Sequence, residues 1–255
     1  MEAKVISTDL KEISCFLIAG KKGSGRKNAT KVLIHAAKKA GASVYVFGTK
    51  EQSLKAFAEQ QSTIYIEQKK DWCDCLRKIE EEQRKQHETA KEPDKQNNTG
   101  KDFIEKQCYM YGTGMQDLAI DDTNEIQKNS YRILVIEDMY DFVKQLYEEQ
   151  DEETDCIQLL EKIIEQTFQN KIIWIGICNI EEIRRCMAYP VFSKMTRKKN
   201  GLYLGGKLSE QSLFNYENVT FEEGQQDNGA GTGYAFLDTV KNIAVPIVIP
   251  LVIKE

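Results

Sequence analysis

The stretch Phe16-Leu17-Ile18-Ala19-Gly20-Lys21-Lys22-Gly23-Ser24-Gly25-Arg26-Lys27-Asn28-Ala29-Thr30 constrains this chain more than any other. It reads as a buried strand, a glycine-rich turn and the first residues of a helix. Gly20 and Gly25 stand at the separation found in G-x-x-x-x-G-K-[ST], a loop whose backbone N–H groups cradle phosphate at a helix N-terminus. The next two positions depart from that pattern. Arg26 replaces the lysine that reaches the β- and γ-phosphates. Lys27 replaces the hydroxyl that ligates Mg²⁺, and an ammonium cannot ligate a cation. The expectation is a loop that keeps its shape and loses its metal chemistry. Its nucleotide contacts would be Gly20, Gly23, Ser24, Gly25, Arg26, Lys27 and Asn28, with ATP held weakly or not at all and Mg²⁺ doubtful.

Beyond the loop, strands and helices alternate. Ala29, Val32, Leu33, Ala36, Ala37 and Ala40 recur every three or four residues, one stripe of a helix that Gly41 ends. Val44–Gly48 and Thr63–Ile66 are the next strands, with a short helix over Ser53–Gln60 between them. Lys69 to about Ala90 reads as a long charged helix with Trp72, Leu76 and Ile79 inward. This alternation predicts an α/β domain with a mainly parallel sheet covered on both faces. Residues 91–130 are polar and irregular, and are expected to form an insertion within a single domain spanning 1–255.

Tyr131-Arg132-Ile133-Leu134-Val135-Ile136-Glu137-Asp138 is the second signature. A buried strand ending in two acids is how an Asp is delivered to Mg²⁺ and a Glu to the attacking water. Here the order is inverted, so Glu137 and Asp138 are the candidate catalytic pair with each side chain displaced by roughly one C–C bond, a misplacement worth about 10²-fold in rate. Alternatively, both acids cap the helix that begins at Met139. A further strand, Lys171–Asn179, ends on Asn179, which is either a γ-phosphate sensor or a strand-end turn residue.

Charge and cysteine content narrow the classes. The net charge of -5, and the eleven acidic against two basic residues between Glu137 and Glu165, argue against a nucleic-acid partner. Lys194-Met195-Thr196-Arg197-Lys198-Lys199 is the one basic cluster, read as a solvated loop or as a charge offered to a neighbour's nucleotide. The seven dispersed cysteines read as reduced thiols. Cys73-x-Cys75 is too tight for a metal pair, and neither His35 nor His87 joins a ligand cluster, so no metal site is expected. No signal peptide and no window near the ~20 apolar residues of a membrane span is present, which reads as a soluble chain. Gly229-Ala230-Gly231-Thr232-Gly233-Tyr234-Ala235-Phe236 is expected to be a hairpin turn. The last apolar run, with Pro246 and Pro250, should be an edge or terminal strand.

The order of these motifs, together with Gly201-Leu202-Tyr203-Leu204-Gly205-Gly206-Lys207-Leu208-Ser209-Glu210-Gln211-Ser212-Leu213-Phe214 before Gly231-x-Gly233-Tyr234-Ala235, resembles the FtsK/SpoIIIE class of ATPases. It looks most like the third, C-terminal ATPase domain of the EssC/EccC proteins of type VII secretion. The resemblance runs from about residue 4 to 250. It implies a RecA/FtsK-like P-loop NTPase fold, neighbouring ATPase modules in the same parent chain, hexameric assembly and WXG100-type secreted substrates. It also implies a place on the cytoplasmic side of the membrane within an anchored parent. The departures at Arg26, Lys27 and Glu137–Asp138 make this a degenerate ATPase module concerned with substrate recognition and regulation. The alternatives are an active ATPase completed by a neighbouring subunit and a DNA-translocating motor. A helical substrate signal would need a groove, for which Phe142, Leu146 and Phe192 are weak candidates beside their reading as core.

Overall fold

The computed structural model describes residues 13–89, 131–148, 155–167, 171–237 and 241–252. The proposed insertion at 91–130, Cys108 and the acidic run at 149–153 lie outside the described residues, as does the side chain of His87. In chain order the strands are β1 (Cys15–Gly20), β2 (Ser43–Phe47), β3 (Ile64–Ile66), β4 (Arg132–Ile136), β5 (Ile172–Asn179), β6 (Gly201–Lys207), β7 (Asp227–Phe236) and β8 (Val245–Val248). The helices are α1 (Arg26–Lys39), α2 (Lys55–Gln60), α3 (Lys69–Thr89), α4 (Met139–Glu148), α5 (Asp155–Glu165), α6 (Ile183–Cys186), α7 (Pro190–Met195) and α8 (Phe221–Gly224).

All eight strands join one sheet in the order β3-β2-β4-β5-β1-β6-β7-β8. The six from β3 to β6 run parallel; β7 and β8 add antiparallel, and β8 forms an edge, where its Pro246 is tolerated. Strand periodicity divides the core. Cys15, Leu17 and Ala19 face one side with Trp72, Phe142, Leu160 and Phe192. Phe16 and Ile18 face the other with Ala29, Ile34, Ala37 and Phe57. Strands that bury both faces need continuous apolar runs, and β1, β4 and β5 have them. The expected α/β P-loop fold with helices on both faces is therefore present.

Two local expectations change. The buried stripe of α1 is Ala29, Thr30, Ile34 and Ala37, while Ala36 and Ala40 are exposed. Helical phase favours Ile34, which the alanine spacing passes over. Gly229–Phe236 is no hairpin turn but most of β7: Gly233–Phe236 pair with β6, and a register shift between Leu204 and Gly206 leaves residues 229–232 outside that pairing. Phe142, Leu146 and Phe192 are core residues, exposed by 3 % or less. No helix among the described residues is long and apolar enough to cross a membrane.

Candidate functional site

β5 lies between β1 and β4, so the carboxyl ends of the strands carrying Gly20, Asn179 and Glu137 are neighbours; Gly20 is in register with Asn179. This is the sheet edge where open α/β folds keep their sites. Gly23 (φ +82°) and Gly25 (φ +96°) take left-handed conformations that turn the chain from β1 into α1. Gly25 occupies the position before α1 and supplies no side-chain cap. The N–H groups of Arg26, Lys27 and Asn28 have no acceptor among the described residues. Open N–H groups at a helix N-terminus, together with the helix dipole, are chemically suited to an anion.

The loop is supported from behind by the far end of the chain. The Gly231 N–H donates to the Ser24 carbonyl at 2.9 Å, and the Ile249 N–H donates to the Gly231 carbonyl at 2.8 Å. A Cβ on Gly25 would lie 2.9 Å from the Gly231 nitrogen, so this approach requires glycine. Asn28 donates through Nδ2 to the Pro250 carbonyl at 2.7 Å and accepts from the Val252 N–H at 2.9 Å. Its amide is therefore used to hold the C-terminal segment. Ser24 is buried, with an Oγ that has no hydrogen-bond partner among the described residues. Sequence reasoning missed this bracing; the only signal was the glycine density at 229–233.

Four cations lie in the loop: Lys21, Lys22, Arg26 and Lys27. Lys27 is turned outward into an ion pair with Glu51 at 2.8 Å, which draws the Glu51 carboxyl below its usual range. Lys21 pairs with Glu210 at 2.7 Å. Arg26 is half-buried and its guanidinium makes no hydrogen bond or ion pair among the described residues. Burial lowers its pKa, against the opposing influence of Asp138, Glu51 and Glu182 nearby.

The two acids of the second signature part company. Glu137 is 4 % exposed, and its carboxylate accepts four hydrogen bonds. Oε1 takes the Ser53 hydroxyl at 2.6 Å and the Leu54 N–H at 2.8 Å. Oε2 takes the Tyr65 hydroxyl at 2.7 Å and the Thr49 N–H at 3.3 Å. Three of the donors lie between β2 and β3, and the fourth, Tyr65, is on β3. Asp138 accepts the Asp141 N–H at 2.9 Å and so caps α4. Burial raises the Asp138 carboxyl; Glu182 and Asp141 add to that, while the Asp141 N–H and Arg26 oppose it. Asn179 accepts the Glu181 N–H at 3.3 Å and caps the turn after β5.

The cysteines do not all remain thiols. Cys73 on α3 and Cys156 on α5 form a disulfide, with Cα atoms 5.5 Å apart. Cys15, Cys75, Cys178 and Cys186 are free. Among the described residues no cluster of His, Cys, Asp and Glu could hold a metal. His35 sits on the surface of α1, 3.3 Å from Gln61.

No family model and no curated protein matches the sequence. Solved structures match over nearly its whole length. EssC (ATPases 2 and 3) from Geobacillus thermodenitrificans aligns with a TM-score of 0.69 at 14 % identity, over 96 % of this chain and 38 % of that one. This chain has the fold of an EssC/EccC ATPase domain. Thermomonospora curvata EccC (ATPases 2 and 3), solved in complex with a signal sequence peptide, aligns at 0.60 and 14 % identity, again over 96 % and 38 %. The pCW3 conjugation coupling protein TcpA, in monomer form with ATPγS, aligns at 0.59 and 12 %, over 96 % of this chain and 63 % of that one. The present chain thus spans well under half the length of the EssC and EccC chains it matches. Within this EssC/EccC-type fold, Gly20–Lys27 occupies the turn from β1 into α1.

Proposed function

We propose that the chain is the third, C-terminal ATPase-fold module of an EssC/EccC-like type VII secretion motor, serving substrate recognition, regulation and assembly with little or no hydrolysis. The single observation that carries the loss of hydrolysis is the state of Glu137. Its carboxylate already accepts four hydrogen bonds from the β2–β3 segment, which leaves little for a metal. Lys27 supports the same reading, since an ammonium paired with Glu51 stands where a metal-ligating hydroxyl belongs. These residues do not fit Mg²⁺. The open N–H groups and the unpaired Arg26 suit a phosphate, for which a planar guanidinium is a good partner.

In this reading the partners are adjacent ATPase modules of one parent chain, further copies in a hexamer and WXG100-type secreted proteins. The parent is anchored in the membrane and this module faces the cytoplasm. The signal sequence peptide bound to Thermomonospora curvata EccC supports a docking role. Calorimetric titration of ATP with and without Mg²⁺ tests the nucleotide reading: affinity should be weak and independent of the metal. Mg²⁺-dependent micromolar binding would overturn it.

One observation favours a second reading. Asp138 lies close enough to Arg26 for their charges to interact, and its carboxyl is raised. A neighbouring subunit that supplied the missing metal ligand would then complete an active ATPase. Steady-state phosphate release by the assembled motor, abolished by Asp138→Ala, would establish that alternative.

A further inference from the structure

The basic cluster at 194–199 has no part in the loop chemistry, and the fold puts it elsewhere. Gly20 and Asn179 end β1 and β5 at the loop, whereas Cys15 and Trp174 are paired near their other ends. Five residue steps along β1 separate the two levels by roughly 17 Å. At this opposite end the surface opens into a cleft of about 680 Å³. That is the size of a small-molecule site, and it lies within the usual range of roughly 300–1,000 Å³.

The cleft is asymmetric in its chemistry. Ile164, Trp174, Met195 and Phe236 form an apolar side. Lys194, Arg197, Lys198 and Lys199 supply four cations, against one lining carboxylate, Glu165. The cations are unequally occupied. Lys194 is paired with Glu161 at 3.0 Å and Glu165 at 3.1 Å. Among the described residues the Lys199 ammonium is bonded only to a neutral amide, Asn215, at 3.1 Å. Arg197 is exposed and makes no hydrogen bond or ion pair among the described residues. Trp174, 1 % exposed, has an indole N–H with no acceptor among the described residues. An unpaired buried donor costs about 1–3 kcal/mol, and a ligand oxygen reaching it would remove that penalty.

We propose that this cleft is a second ligand site, separate from the phosphate loop, for a small organic anion with an apolar body. The anionic group lies against Arg197 and Lys199 and the body against Trp174, Met195 and Phe236. A volume of about 680 Å³ favours a compact ligand over a peptide.

The probe is 8-anilinonaphthalene-1-sulfonate, an anion with an apolar body, titrated by fluorescence into the full chain under native conditions. One saturable site is expected, with energy transfer from tryptophan. Arg197→Glu and Lys199→Glu should each weaken it roughly tenfold. Lys70→Glu, an equal change of charge on the exposed face of α3, should shift it less than twofold. Unchanged circular dichroism of the variants excludes misfolding as the cause. ATP and inorganic triphosphate are then used as competitors; displacement by ATP at lower concentration than by triphosphate supports an apolar contribution. No saturable binding, or equal affinity in Arg197→Glu and Lys70→Glu, overturns the proposal. Displacement by a glutamate-rich peptide but by neither phosphate compound also overturns it, because the cleft would then be a peptide-docking surface.

Discussion

Glu137 carries a carboxylate that the strand-end motif assigns to metal chemistry and the β2–β3 segment has taken up. Two N–H and two O–H donors meet it. A glutamine in its place would present an NH₂ group to two of those donors, whichever way the amide turned. Glu137→Gln should therefore lower stability by about 2–4 kcal/mol in urea denaturation, since hydrogen bonds to a buried charge are worth about 1.5–3 kcal/mol each. A catalytic Glu137 would instead lose turnover while keeping its stability. Asp138 behaves differently. Its pKa is raised in the folded state, chiefly by burial, so ionisation works against folding. A group of this kind favours the folded state fully only below its unfolded pKa and loses that contribution as pH rises through the folded value. Asn caps a helix as well as Asp does. Asp138→Asn is expected to raise the melting temperature at pH 7, with the gain shrinking as pH falls through the folded pKa of the wild-type carboxyl. Calorimetric scans from pH 4 to pH 7 would show this, and a constant difference would refute it.

The strands β1, β2, β4 and β5 were legible because burial on both faces demands apolar runs, and those runs are local. β7 was not legible. Glycines at 229, 231 and 233 give no alternation to read, and their purpose is set by partners far away in sequence. A Cβ on Gly233 would overlap the Tyr203 carbonyl on β6. Glu137 was legible as a strand-end acid but not in direction, since its donors come from residues 49 to 65. Tyr65 reaches Glu137 by passing over Gly48, where a Cβ would overlap its ring and hydroxyl. Gly48→Ala should thus cost about 1–3 kcal/mol by displacing an aromatic ring from a packed site. Tyr65→Phe, which keeps the ring and removes the hydroxyl, should cost about 1–2 kcal/mol. If Gly48→Ala were neutral, the ring would not occupy that space.

For the molecule as a whole, the sheet offers two ends with different chemistry: the glycine-rich loop at one and the basic cleft at the other. The helical layer over Trp72 and Phe142 is tied by the Cys73–Cys156 disulfide, across 83 residues of sequence. Dispersed cysteines give no pairing by spacing alone, which is why reduced thiols were the expectation. A closed loop of that length stabilises by about 2–4 kcal/mol. Denaturation with and without a phosphine reductant should show a loss in that range, and alkylation before and after reduction should identify Cys73 and Cys156 as the protected pair. Full alkylation of both in the native, unreduced protein would rule the bond out.

The bracing of the loop by Gly231, Ile249, Pro250 and Val252 also has a meaning in time. Asn28 and its partner Val252 are 224 positions apart. At a synthesis rate of about 5–20 residues per second, the loop would wait roughly 10–45 s on the ribosome before its support is made. The strand and helix that flank Gly20–Lys27 are translated more than 200 residues before the backing that fixes their junction. The backing of the loop is therefore a late acquisition of the nascent protein relative to the loop itself. Ribosome-bound intermediates stalled before residue 231 would be expected to lack it.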